Sequence, residues 1–169
     1  MELKRSIELF IIKDGTHLLM SKRGPMKHSA GKFAVPGGHI DWNTQLDRWE
    51  TYAECAVREA TEELGAQLGE AVAIAFQTDK VSVGAVVDDV RPSASPPVHY
   101  LHIALIIDIP GDIEPDYAAL DAHEHVDLGW HLIQEVGTLT KSQLYPPHFQ
   151  QICAFLNGDH RYGQVESLQ

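Results

Sequence analysis

Apolar and polar residues alternate along this chain in two rhythms. Residues 6–13 are rich in Ile, Leu and Phe and read as a buried strand. Asp14-Gly15 is a hairpin turn signal, and residues 17–22 read as the returning strand. Residues 31–38 read as a short strand running into the tight turn Pro36-Gly37-Gly38, with His39 and Ile40 beginning another strand. Residues 71–79 place Val72, Ile74 and Phe76 on one face and predict a strand. Residues 81–87 predict a further strand, and the Asp, Ser and Pro of 88–97 an exposed loop. Residues 98–109 carry the strongest later strand signal, with His99 and Leu101 on one face and Tyr100 and His102 on the other. An acidic loop follows over 110–121. Residues 133–136 fit one helical turn, and Pro146 or Pro147 opens a final helix stopped at Asn157-Gly158. From Asp159 the chain is a polar tail, so the expected domain is 1–158 and the tail 159–169.

The helical rhythm is clearest between Glu50 and Ala66. Thr51 and Glu54 have capping-box spacing, and Gly65 sits where a helix would stop. Ala53, Ala56, Val57, Ala60 and Leu64 form a small apolar stripe. On the other side Glu59 and Glu63 stack four residues apart, with Glu62 beside them. Like charges at this spacing repel by a few tenths of a kcal/mol per pair. A cation nearby would offset that, and grouped carboxylates suit Mg²⁺ or Mn²⁺. A solvated acidic face, with Arg58 paired to Glu62, accounts for the same residues.

Composition narrows the classes. The 169 residues suffice for one domain with a core, and the formal charge of −11 argues against stable nucleic-acid binding. An acidic protein repels a phosphate substrate unless divalent cations sit between them. No apolar run approaches a membrane span, and the first residues lack a secretory pattern, so a cytoplasmic protein is expected. Cys55 and Cys153 fall in predicted helices without metal-type spacing, which fits a reduced compartment. The basic loop over residues 22–28 reads either as solvated or as a phosphate- or base-contacting rim.

Arg58-Glu59-Ala60-Thr61-Glu62-Glu63-Leu64-Gly65-Ala66, seven residues after Glu50, resembles the second part of the Nudix box, and Pro36-Gly37-Gly38-His39-Ile40 resembles its beginning. The match departs in one place. Gly38 lies twelve positions before Glu50 instead of six, so the intervening loop is about six residues longer, and Trp49 stands where a glycine is common. The resemblance implies an α/β (α+β) Nudix fold, a mixed central sheet sandwiched between helices. Periodicity alone supports only an α/β or α+β domain with two main helices.

The same resemblance implies a metal-dependent hydrolase of diphosphates linked to another moiety, using Mg²⁺ or Mn²⁺. Glu59 and Glu63 would be the core ligands, Glu62 a further ligand or base, and a carbonyl of Gly37 would complete the metal site. Glu50 would support the site, and Arg58 would orient the glutamates. Glu124 and Asp127, before a strand ending near Trp130, are candidates for an additional ligand or general base. The overall pattern is similar to MutT-type nucleoside triphosphate pyrophosphatases, which release monophosphate and pyrophosphate. Phe33, Gly38, His39, Trp42, Trp49, His99 and Tyr100 are candidate substrate contacts, the aromatic ones by stacking on a base, though aromatics are also ordinary core residues. Hydrolysis of a nucleoside diphosphate linked to a sugar, such as ADP-ribose, is the second expectation, and a non-catalytic nucleotide-binding module the third. Many relatives are homodimers, and nothing in this sequence decides the oligomeric state.

Overall fold

The computed structural model describes residues 2–118 and 120–158; the expected tail over 159–169 lies outside them. Strand β1 (Glu2–Lys13) is the axis of the molecule. It runs parallel to β8 (Val98–Ile109) along its whole length, from the pair Glu2–Val98 to Lys13–Ile109. Its other edge is shared antiparallel by β2 (His17–Arg23) and β4 (Gly37–His39). β3 (Phe33–Ala34) and β9 (His125–Leu132) extend the sheet beside β2, and β7 (Val81–Arg91) closes the far edge against β8.

Alternation along β1 and β8 sends side chains to two cores. Ile7, Leu9, Ile11, Ile103, Leu105 and Ile107 pack under α1 (Tyr52–Leu64) and α2 (Ala66–Gln77). Phe10, Ile12, Ala104 and Ile106 face the other way, against Val136 of α3 (Ile133–Val136) and Ile152 of α4 (Pro146–Leu156). A sheet with apolar residues on both faces needs a layer on each, and the helices supply them. Each large aliphatic side chain removed from water contributes about 1.5–3 kcal/mol.

Three sequence expectations change. Residues 71–79 are not a strand but most of α2. The buried residues Leu68, Ala71, Val72 and Ala75 have helical spacing, whereas Ile74, placed on the expected strand face, is half exposed. The Ala-rich composition favours the helix. Strand β7 continues through residues 88–91, where a loop was expected, because β8 offers it partners out to the pair Arg91–Val98. The strand expected to start at His39 and Ile40 is instead the three-residue β4, ending at His39.

The longer loop before α1 folds as a hairpin of β5 (Trp42–Asn43) and β6 (Arg48–Trp49), with Trp42 opposite Trp49 and their rings edge to face at 5.5 Å. Asn43 Oδ1 accepts the backbone N–H groups of Gln45 and Leu46 and shapes its tip.

Candidate active site

The site begins at the helix start. The Thr51 hydroxyl accepts the Glu54 N–H, and the Glu54 carboxylate accepts the Thr51 N–H. This reciprocal cap sets where α1 begins and so which face carries Glu59 and Glu63. Gly37 and Gly38 bring the β4 backbone against that face. A Cβ at Gly38 would lie 2.0 Å from Glu59 Oε1, and one at Gly37 would lie 2.2 Å from the Ile7 carbonyl oxygen. At Gly37 the clash is with backbone at φ +153°, so only glycine fits there, whereas at Gly38 a side chain would displace the Glu59 carboxylate. Gly37 N–H donates to Glu63 Oε2 at 3.1 Å.

Arg58 organises the carboxylates around it. Its Nε and Nη2 grip both Glu50 oxygens at 2.7 and 2.9 Å, Nη1 donates to Glu59 Oε1 at 2.7 Å and to Glu62 Oε2 at 3.1 Å, and Nη2 also reaches the His39 carbonyl at 2.9 Å. The fork geometry of guanidinium makes this possible. The paired arginine holds the Glu50 carboxyl below its ordinary range. Burial, and then the charge of Glu63, push Glu59 up to about 7, with Arg58 pulling the other way. Glu62 is largely exposed.

Glu63 has a second neighbour. His125, on β9, places Nε2 2.9 Å from Glu63 Oε1, while its Nδ1 lies 2.8 Å from the Ser21 hydroxyl. Ligand atoms of Glu63, Glu124 and His125 all lie within 4.8 Å of one another. Glu124 also pairs with Lys27 at 2.7 Å. These oxygen-rich donors beside a carboxylate that resists ionising fit a divalent cation, whose charge would restore the ionised form of Glu59.

A cleft of about 340 Å³ opens over this cluster. Gly37, Gly38, Glu59, Glu63 and Glu124 line it together with Glu8, Asp41, His39, Arg91, Tyr100, His102 and Tyr145, and Arg23 and Lys27 of the basic loop also border it. His39 and Tyr100 have ring centres 5.7 Å apart, as do Tyr100 and His102. Arg91 lies over the Tyr100 ring at 4.7 Å and donates to the Tyr145 hydroxyl at 3.0 Å.

Other candidates do not line this cleft. Phe33 packs edge-on to His131 and joins the second core. His99 bonds Asp88 at 2.6 Å. Asp127 is exposed and paired with Lys22 at 2.7 Å. Trp42 and Trp49 stand half exposed on the hairpin. In the opposite direction, sequence reading passed over Glu8, His148, Arg91, Tyr145 and His125. The signal for Glu8 was visible: one carboxylate inside the apolar run of β1. Arg91 lay in a presumed loop, and the others come from distant elements.

Residues 2–155 match the NUDIX domain family model. The chain belongs to the Nudix family. As a Nudix hydrolase it acts on phosphoanhydride bonds, and enzymes of this family depend on divalent metal. Its fold is shared by the MutT protein of Methanosarcina mazei Go1, at 16% identity, with 93% of this chain and 95% of that one covered and a TM-score of 0.59. A Caenorhabditis elegans Ap4A hydrolase matches at 16% identity over 92% of this chain and 98% of that one, TM-score 0.52. A bifunctional NMN adenylyltransferase/ADP-ribose pyrophosphatase from Francisella tularensis, complexed with AMP and a manganese ion, matches at 19% identity, TM-score 0.61. That match covers 92% of this Nudix chain and 41% of the larger protein. No helix among the described residues is long and apolar enough to cross a membrane.

Proposed function

We propose that this Nudix hydrolase converts a nucleoside or deoxynucleoside triphosphate to the monophosphate and pyrophosphate in the MutT manner, with Mg²⁺ held at the glutamate cluster. The observation that carries the reading is the lining of the cleft. Glu59, Glu63 and Glu124 form one group of lining residues, and the rings of His39, Tyr100 and His102 with Arg91 form another, within a volume of about 340 Å³ that suits one nucleotide. The phosphates belong with the carboxylates and the base with the rings.

In this reading Glu59, Glu63 and a carbonyl of Gly37 hold the ion, with Glu62 as a further ligand. A bound divalent ion neutralises phosphate oxygens and lowers the pKa of attacking water. The protein's own groups do the positioning. Arg58, locked to Glu50, keeps the Glu59 carboxylate in place. Glu124 is suited to act as additional ligand or to take a proton from water, since it sits near Glu63 and its partner Lys27 can be displaced by substrate. Arg23 and Lys27 supply positive charge at the cleft rim, where an acidic protein needs it to admit phosphate.

A second reading, hydrolysis of a nucleoside diphosphate linked to a sugar, has its own support. A neighbouring hollow of about 520 Å³ shares Arg91 and Tyr145 with the cleft and would accommodate a second moiety. The test is product identity: incubation with Mg²⁺ and a panel of NTPs, dNTPs, ADP-ribose and nucleotide sugars, resolved by chromatography. Monophosphate plus pyrophosphate from a triphosphate is the expected result. Cleavage confined to sugar-linked diphosphates would replace it with the second reading.

A further inference from the structure

The lining of the cleft holds a buried polar chain that the hydrolysis itself does not require. It starts at a backbone group. Val35 N–H donates to His148 Nδ1 at 3.1 Å. With Nδ1 accepting, the proton of that ring sits on Nε2, which lies 2.7 Å from Glu8 Oε2 and donates to it. Glu8 Oε1 accepts the Ser6 hydroxyl at 3.0 Å and faces His102 Nδ1 at 2.8 Å. The Ser6 Oγ lies 2.8 Å from the same nitrogen and, with its own proton given to Glu8, accepts; a carboxylate can only accept, so this arrangement puts the proton on Nδ1 of His102. In the neutral ring its Nε2 is then left with a lone pair. That atom is buried and has no hydrogen-bond partner, in a side chain 6% exposed that lines the cleft between Tyr100 and Tyr145. Among the described residues a carboxylate oxygen, Asp89 Oδ2, lies 3.9 Å away and is bonded to Arg91.

Buried acceptors without a partner are costly unless a ligand satisfies them. We propose that His102, held as an acceptor by Glu8, is the specificity-determining residue of the cleft and selects a base edge that presents an amino group over one that presents a carbonyl. The inference rests on the reading that the rings lining the cleft receive the base. Adenine and cytosine offer such an N–H₂ donor, where hypoxanthine and uracil offer oxygen. A carbonyl there would meet the Nε2 lone pair and the Asp89 carboxylate together. Sites built to receive a hydrogen bond reject the analogue lacking it strongly, because the buried group stays unpaired.

The chain also predicts how to reverse the choice. In Glu8→Gln, the amide oxygen must face His148, whose Nε2–H is fixed by Val35. The amide NH₂ then faces His102 Nδ1, which becomes the acceptor and moves the ring proton to Nε2. His102 would change from acceptor to donor without a change of shape. His102→Phe removes both functions while keeping a ring beside Tyr100.

The experiment measures kcat/KM for ATP against ITP and CTP against UTP, and for the UDP- and CDP-linked sugars, in wild type and both variants. The expected wild-type ratio favours the amino member by about tenfold or more; Glu8→Gln brings it below one, and His102→Phe brings it near one. A ratio that keeps its wild-type value in both variants overturns the role of His102 while leaving triphosphate hydrolysis standing. A reversal in Glu8→Gln seen only on the sugar-linked diphosphates supports His102 while removing the triphosphate reading. Hydrolysis of none of these nucleotides overturns both.

Discussion

At the scale of single residues, the site trades stability for charge. Glu59 is a buried carboxyl with Glu63 nearby, and its pKa of about 7 lies above the ordinary 4.5. A raised carboxyl binds its proton more tightly when folded, so metal-free protein should gain stability as pH falls from about 7 toward 4.5 and lose it as pH rises. Thermal melts in chelator at pH 5.5 and pH 8 should differ accordingly, and saturating Mg²⁺ should remove much of the loss at pH 8. Glu59→Gln should melt a few degrees higher than wild type in chelator at pH 8, yet lose the Mg²⁺-induced shift. A wild-type Mg²⁺ shift in that variant would take Glu59 out of the metal site. Glu63→Gln is expected to keep the fold and lower turnover by a thousandfold or so, as removal of a charge-stabilising group does; full activity in excess metal would dismiss α1 from the chemistry. Glu8 has the opposite sign. Burial alone would raise it, but the imidazole N–H groups of His148 and His102 that face it prevail and hold it at about 2. The stability it contributes is present above its unfolded pKa of about 4.5 and is lost as pH falls toward 2.

At the scale of elements, the site depends on how closely β4 approaches α1. Gly38→Ala would push a methyl group into the Glu59 carboxylate, and activity should fall at least tenfold, with a smaller change in melting temperature. Gly129→Ala is the control, because a Cβ there has nothing within 4 Å. Equal kinetics for the two variants would mean that the β4 approach is not needed. The cap of α1 is a separate quantity. Thr51→Ala should cost about 1 kcal/mol in urea unfolding, since one half of the reciprocal cap is lost. The Glu54 carboxylate would still be held by Arg48 at 2.7 Å, which limits the damage. The capping box was readable from two residues three apart, because it is a local interaction. The α2 error had the opposite cause: residues 72–76 satisfy both periods over so short a window, and only packing of Leu68, Ala71 and Ala75 under the sheet chooses the helix.

At the scale of the whole molecule, function requires that two layers meet over one sheet. Leu105 is fully buried in the centre of β8, and Leu105→Ala should cost 2–5 kcal/mol, measured by urea unfolding. Because β8 carries Tyr100 and His102 on the cleft side, loosening it should raise KM as well. Divalent metal should stabilise the native protein by about 2.7 kcal/mol at a hundred times its dissociation constant, the amount mass action requires of any ligand that binds only the folded state.

By itself the sequence determined what depends on neighbours in the chain: the cap and stop of α1, the stacking of Glu59 and Glu63, and the long strand over 98–109; the turn expected at Gly37-Gly38 is instead part of β4. Family membership was legible for the same reason, since the box is one contiguous run. Tertiary structure alone decided what depends on distant segments meeting. His125 reaches Glu63 only because β9 pairs with β2, and His148 reaches Glu8 only because α4 packs beneath the sheet that β1 centres, 140 residues away in the chain. Spacing along a strand could put His102 on a face, but not say that Glu8 and Ser6 would occupy one of its nitrogens and leave the other without a partner. Local interactions are written in short patterns; the identity of a buried partner is set by topology, which no short pattern contains.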